Sequence, residues 1–116
     1  MKYALLLSGI IETLGGLIVY FKPGIAFPTM SSETAHLYGI AAMVIGLINI
    51  LAFKSYGDNP IFKQIFLVMM FFHGAISFVI YGAPDGFISH KTGGIIVHLG
   101  LFVVFTIAYL KDIKPD

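Results

Sequence analysis

The chain lacks cysteine and arginine, and it carries few charges of either sign. Without cysteine it can form neither disulfides nor thiolate metal sites, and thiol redox chemistry is excluded. Seven lysines balance six acidic residues to a net charge of +1. A basic patch for nucleic acid and an arginine clamp for phosphate are therefore not expected. No nucleic-acid partner is predicted.

Apolar residues dominate the sequence. They make up 58% of the 116 residues, against 11% charged, and the mean hydropathy is +0.92. Four apolar blocks each approach the roughly 20 residues that a helix needs to cross the hydrocarbon of a bilayer. They cover residues 3–21, 35–53, 61–81 and 93–110. We expect a single transmembrane domain over residues 1–116, an all-α integral membrane four-helix bundle in contact with the lipid bilayer.

Four spans place both termini on one side of the membrane. That side carries five lysines against two on the other, so the positive-inside rule predicts cytoplasmic termini. The five are Lys2, Lys54, Lys63, Lys111 and Lys114, and the two are Lys22 and Lys91. We expect the first block to be a retained span and not a cleaved signal peptide, because it is long and contains a glutamate.

The two halves of the chain share a pattern. In each half a polar residue precedes a Tyr-x-x-Pro segment by eight residues, and a His-Leu pair follows the tyrosine sixteen or seventeen residues later. The residues are Glu12, Tyr20 and His36 in the first half and His73, Tyr81 and His98 in the second. A duplicated two-helix hairpin, with a pseudo-two-fold axis along the membrane normal, would account for the match.

This pattern places one polar side chain, able to bind a metal, on each span: Glu12, His36, His73 and His98. A charged carboxylate at the centre of a bilayer costs about 3 kcal/mol, so such residues usually face a protein interior and act there. Imidazole and carboxylate suit zinc, iron, manganese or copper. Two histidines on different helices also suit a haem. We expect the four side chains to converge as a cofactor site.

Two methionines and one asparagine are further candidates. Met43 and Met69 lie on the histidine faces and are secondary ligands, since a thioether suits copper, although methionine in a bundle usually fills core space. Asn49 lies about 220° around its helix from His36, so we expect it to face elsewhere and to bond another helix.

A structural interpretation stands beside the cofactor hypothesis. Intramembrane histidines often form hydrogen bonds between helices, and Glu12 would then pair with one of them. In that case the protein binds no cofactor, and its polar residues only hold the helices together.

The first span reads Gly9-x-x-Glu12-x-x-Gly15-Gly16-Leu17 and is followed by a Pro-Gly loop. With the short chain and the four spans, this pattern resembles the DoxX-like group of small bacterial four-helix membrane proteins. The resemblance implies a bacterial inner (plasma) membrane and a redox-associated role, because some members are subunits linked to quinone-dependent oxidation. It implies no ligand set for the histidines.

Three functions follow as hypotheses. The leading one is a membrane protein whose Glu/His site binds a metal or haem and exchanges electrons with a quinone or another lipid-soluble molecule. The second is proton-coupled transport of a small substrate by a homodimer, since glutamate and histidine can carry protons. The third is a non-catalytic subunit of a larger membrane complex. Whether the protein is an enzyme is left open by the sequence.

Overall fold

The computed structural model describes residues 1–112, and over that range the chain forms four long helices and one short helix. The long helices are α1 (Tyr3–Phe21), α3 (Ser32–Lys54), α4 (Ile61–Gly82) and α5 (Lys91–Asp112), and α2 (Pro23–Ala26) is short. The prediction of an all-α four-helix bundle is confirmed. All four long helices are long and apolar enough to cross a membrane, which supports an integral membrane protein. Lys114, used in the lysine count, lies outside the described residues.

Local signals in the sequence set the helix boundaries. Ser31 caps α3, because its Oγ accepts a hydrogen bond of 3.3 Å from the backbone N–H of Thr34. Asn59 Oδ1 accepts one of 2.9 Å from the N–H of Ile61 at the start of α4. Pro23 is the first residue of α2, a position where its missing N–H costs nothing.

Helices α1 and α3 pack as an antiparallel pair with close backbone contact. Glycines lie at two points of close contact along this interface, where Gly9 faces Gly46 and Gly16 faces Gly39. A Cβ at Gly16 would lie 2.6 Å from the Gly39 carbonyl oxygen, which is far closer than carbon and oxygen can approach. Without side chains there, dispersion contacts between the two helices are maximised, and such contacts drive association in lipid.

Helices α4 and α5 form a second antiparallel pair, in which Gly74 faces the ring of Phe102. The two pairs meet in an apolar core at the terminal end of the bundle, where α1 begins. Leu5 of α1, Phe66 of α4 and Phe105 of α5 are fully buried in this core. The core therefore closes the terminal end against water.

The opposite end of the bundle, here called the α2 end, carries α2 and the connection between α4 and α5. The two segments are tied together, because the N–H of Ser89 donates a hydrogen bond of 3.0 Å to the carbonyl of Ala26. The ring centroids of Phe27 and Phe87 lie 6.1 Å apart beside this bond. Between this end and the apolar core, the interior contains the polar side chains described next.

Candidate metal centre

Three of the four predicted side chains meet in the centre of the bundle. Glu12 of α1, His73 of α4 and His98 of α5 each offer one ligand atom, and these atoms lie within 4.8 Å of one another. Glu12 Oε1 is 3.7 Å from His73 Nδ1 and 3.7 Å from His98 Nδ1. The two histidine nitrogens are 3.0 Å apart. The group could therefore hold a metal ion.

The size of this triangle matches the coordination sphere of a first-row metal. Adjacent ligand atoms of a tetrahedral zinc ion, with bonds of about 2.1 Å, lie about 3.4 Å apart. The observed separations of 3.0 to 3.7 Å bracket that value. A point equidistant from the three atoms lies about 2.0 Å from each, the length of a zinc–nitrogen or zinc–oxygen bond. The three donor atoms are therefore spaced for one ion, which would replace the hydrogen bond that now joins the two Nδ1 atoms.

Glu12 is buried, and its Oε1 has no hydrogen-bond partner among the described residues. At 3.7 Å, the two histidine nitrogens are too distant to donate to it. A buried polar atom without a partner costs about 1–3 kcal/mol, and more when it is charged. A cation among the three donors would remove this cost, because it would supply the partner that Oε1 lacks.

A hydrogen-bonded chain fixes His73 from the other side of its ring. His73 Nε2 lies 2.9 Å from Ser8 Oγ, which also accepts a hydrogen bond of 3.0 Å from Asn49 Nδ2. All three side chains are completely buried. If Nε2–H donates to Ser8, Nδ1 carries the lone pair that a metal ion needs. The hydrogen bonds from Asn49 on α3 through Ser8 on α1 then orient His73 on α4 as a ligand.

The structure places His36 apart from this group. Its ring packs on Tyr20, with centroids 4.9 Å apart, near the α2 end of the bundle. His36 is the fifth residue of α3, whereas His98 is the eighth residue of α5, so His98 reaches about 4.5 Å further into the bundle. The expected convergence of four side chains is thus corrected to three, because the two hairpins differ in how deeply these histidines lie.

The secondary candidates take packing positions. Met43 lies against Gly16, where a Cβ added to the glycine would be 2.8 Å from Met43 Cγ. Met69 is buried in the apolar core, and its sulfur accepts a hydrogen bond of 3.2 Å from Asn49 Nδ2. Neither of these contacts involves Glu12, His73 or His98.

Sequence reasoning separated Asn49 from the site, whereas the structure connects it to the site. Asn49 does bond other helices, as expected, but its partner Ser8 contacts His73 directly. A signal for this was present in the glycine pattern. Asn49 follows Gly46 by three residues and so shares its face, while Ser8 directly precedes Gly9, which faces Gly46.

A cavity of about 490 Å³ leads from the group toward the α2 end. Glu12 and His98 lie at its inner end, and most of its remaining lining is apolar, including Val19, Ile76 and Ile80. Its volume falls within the range of about 300–1,000 Å³ that is typical of small-molecule sites. The donors therefore face the terminal-end core on one side and a ligand-sized space on the other.

Comparisons with family models, with curated proteins and with solved structures find no match to this chain. The resemblance to the DoxX-like proteins therefore stays a prediction.

Proposed function

We propose that this chain is a small membrane metalloprotein in which Glu12, His73 and His98 bind one transition-metal ion. The observation that carries the proposal is the triangle of Oε1 and two Nδ1 atoms, with sides of 3.0 to 3.7 Å. Glu12 Oε1 also has no hydrogen-bond partner among residues 1–112, whereas a merely structural glutamate would be expected to form one.

Two histidines and one carboxylate favour zinc or ferrous iron. This donor set occurs in zinc enzymes that keep an open coordination position and in non-haem iron oxygenases. Copper is less favoured, because the three donors are one oxygen and two nitrogens and include no soft sulfur ligand. A haem fits poorly. Two nitrogens on opposite sides of an iron would lie about 4 Å apart, twice an ordinary metal–nitrogen bond, and here they lie 3.0 Å apart.

Three protein ligands leave at least one coordination position for a further molecule. When bound, the ion supplies either a redox couple or a Lewis acid, depending on the metal. The residues of the protein orient the ligands, exclude water and admit a further molecule. Ser8 orients His73, the Phe66 and Phe105 core excludes water from the terminal end, and the cavity admits a ligand beside Glu12 and His98. We propose that electron exchange with a lipid-soluble molecule, including a quinone, is one use of such a centre.

Metal analysis of the purified protein tests the proposal. We expect about one zinc or iron per chain after loading, and loss of the ion in Glu12→Gln, His73→Ala and His98→Ala. His36→Ala is the matched control, because it removes an imidazole from a membrane helix without touching the group. Cobalt loading adds a visible band that reports tetrahedral nitrogen and oxygen ligands.

The alternative functions give different results. A folded wild type that takes up no ion, while Glu12→Gln abolishes pH-driven flux in liposomes, would replace the proposal with proton-coupled transport. A folded wild type with neither ion nor flux would favour a structural role in a larger complex. Equal loss of the ion in His36→Ala and His73→Ala would show that the assignment of ligands is wrong.

A further inference from the structure

The cavity beside the proposed ion has one polar end and apolar walls. Glu12 is the only carboxylate among the described residues that line it. The other titratable side chains that line it are Tyr38, His90 and His98, and His90 lies near the α2 end, in the segment that precedes α5. Among the described lining residues, the one carboxylate therefore lies at the inner end, where the ion would be.

The charge of the loaded site is not balanced by the protein. A divalent ion with one carboxylate and two neutral imidazoles carries one net positive charge. The site lies about 10–14 Å from the ends of its helices at the α2 end, within the spans, where an uncompensated charge is costly. An anionic ligand on the open position would neutralise it, whereas without the ion the Glu12 carboxylate would repel the same ligand.

The cavity has exposed lining residues on both α1 and α4. At the terminal end these helices meet through Leu5 and Phe66 and then through Ser8 and His73. Closer to the α2 end than Ser8 and His73, the cavity lies between α1 and α4. Its lining includes Ile18, which is 50% exposed, and Val79, which is 64% exposed. These two residues border both the cavity and the outer surface of the bundle.

On α1, Gly15 leaves a gap beside the cavity because it has no side chain. It lines the cavity, and a Cβ built on it would meet nothing within 4 Å. At the α2 end, by contrast, the hydrogen bond between Ser89 and Ala26 ties the covering segments together. The exposed lining at Gly15, Ile18 and Val79 therefore offers a molecule dissolved in the bilayer a route to Glu12.

We propose that the cavity binds a fatty acid from the membrane, with its carboxylate on the ion and its hydrocarbon chain along the apolar walls. The inference rests on the ion site proposed above. The charge balance selects an acid over a neutral lipid-soluble molecule, the apolar lining selects a hydrocarbon chain, and the gap at Gly15 gives it entry from the lipid.

The test uses the full chain in lipid nanodiscs, loaded with zinc or stripped with a chelator. The probe is decanoate with a photoreactive diazirine at the end of its chain, and labelled residues are mapped by peptide mass spectrometry. We expect labels near the α2 end of the cavity, at residues such as Phe27 or Phe87. Loss of the ionic anchor should reduce labelling about tenfold or more in the stripped protein.

Two phenylalanine substitutions form a matched pair. Gly15→Phe fills the gap and should reduce labelling about tenfold, with zinc content unchanged. Gly100→Phe also adds a ring where a Cβ meets nothing within 4 Å, but this position does not line the cavity, so labelling should be unchanged. Equal labelling of both variants at full zinc content would overturn the inference.

Mapping on the wild-type chain gives a result that does not depend on any variant. Labels confined to the outer groove at Phe71 and Phe78 would show that the probe only contacts the lipid-facing surface. Labelling blocked by a decyl-substituted benzoquinone but not by excess decanoate would replace the acid with a quinone. A chain that binds zinc without cavity labelling refutes this inference alone, whereas a chain that binds no zinc refutes the ion site and with it the fatty acid.

Discussion

Ser8 on α1 and His73 on α4 are joined by a buried contact of 2.9 Å between Oγ and Nε2, which leaves His73 Nδ1 facing Glu12 and His98. A histidine that binds a metal through one nitrogen usually donates from the other, and that hydrogen bond fixes the orientation of the ring. The serine thus orients a proposed ligand without being one.

Replacing Ser8 with alanine should weaken metal binding by about 10- to 100-fold, the usual effect of losing such an outer partner. The affinity is measured by competition with a chelator of known strength. Ser77→Ala is the control, because buried Ser77 donates only to the Gly74 carbonyl of its own helix, at 2.8 Å. Equal affinities in the two variants would show that Ser8 does not orient His73.

The Glu12→Gln variant should separate a metal ligand from a structural carboxylate. The amide keeps the shape but cannot ionise, so it avoids the cost of about 3 kcal/mol that a charged carboxylate has within a membrane. In the chelator-stripped protein we therefore expect an equal or higher unfolding temperature than in the wild type. With zinc present the order should reverse, because only the wild type gains stability from the ion.

Thermal unfolding in detergent, with and without zinc, measures both states of the Glu12→Gln variant. Glu33→Gln is the control, since Glu33 is exposed in the first turn of α3. A stripped Glu12→Gln protein that unfolds well below the stripped wild type would instead indicate that the carboxylate holds helices together.

Replacing each of two adjacent glycines with alanine should change the stability of the protein in opposite directions. A Cβ at Gly16 would lie 2.6 Å from the Gly39 carbonyl oxygen, so Gly16→Ala must push α1 and α3 apart, at a cost of about 1–3 kcal/mol. At Gly15 the Cβ meets nothing within 4 Å, and the better helix propensity of alanine predicts a gain of up to about 1 kcal/mol. Chemical unfolding in mixed detergent micelles compares the two. If both variants lost a similar amount of unfolding free energy, the close packing would not be specific to Gly16.

The sequence by itself determined the helical architecture. Blocks of about 20 apolar residues can satisfy their backbone groups in lipid only as helices, so composition and length were sufficient to predict four of them. The boundaries followed from local chemistry, such as the cap at Ser31. Glu12, His73 and His98 could likewise be named from sequence, because ionisable residues stand out in apolar spans.

Only the tertiary structure decided which polar residues meet. The repeat made His36 and His98 equivalent, but three residues of helix depth separate them, and depth depends on where each connection lets the helix begin. Asn49 reaches Ser8 because the close contacts at the glycines fix the register of α3 against α1. Depth and register arise from packing between segments distant in sequence, so no pattern within one span contains them.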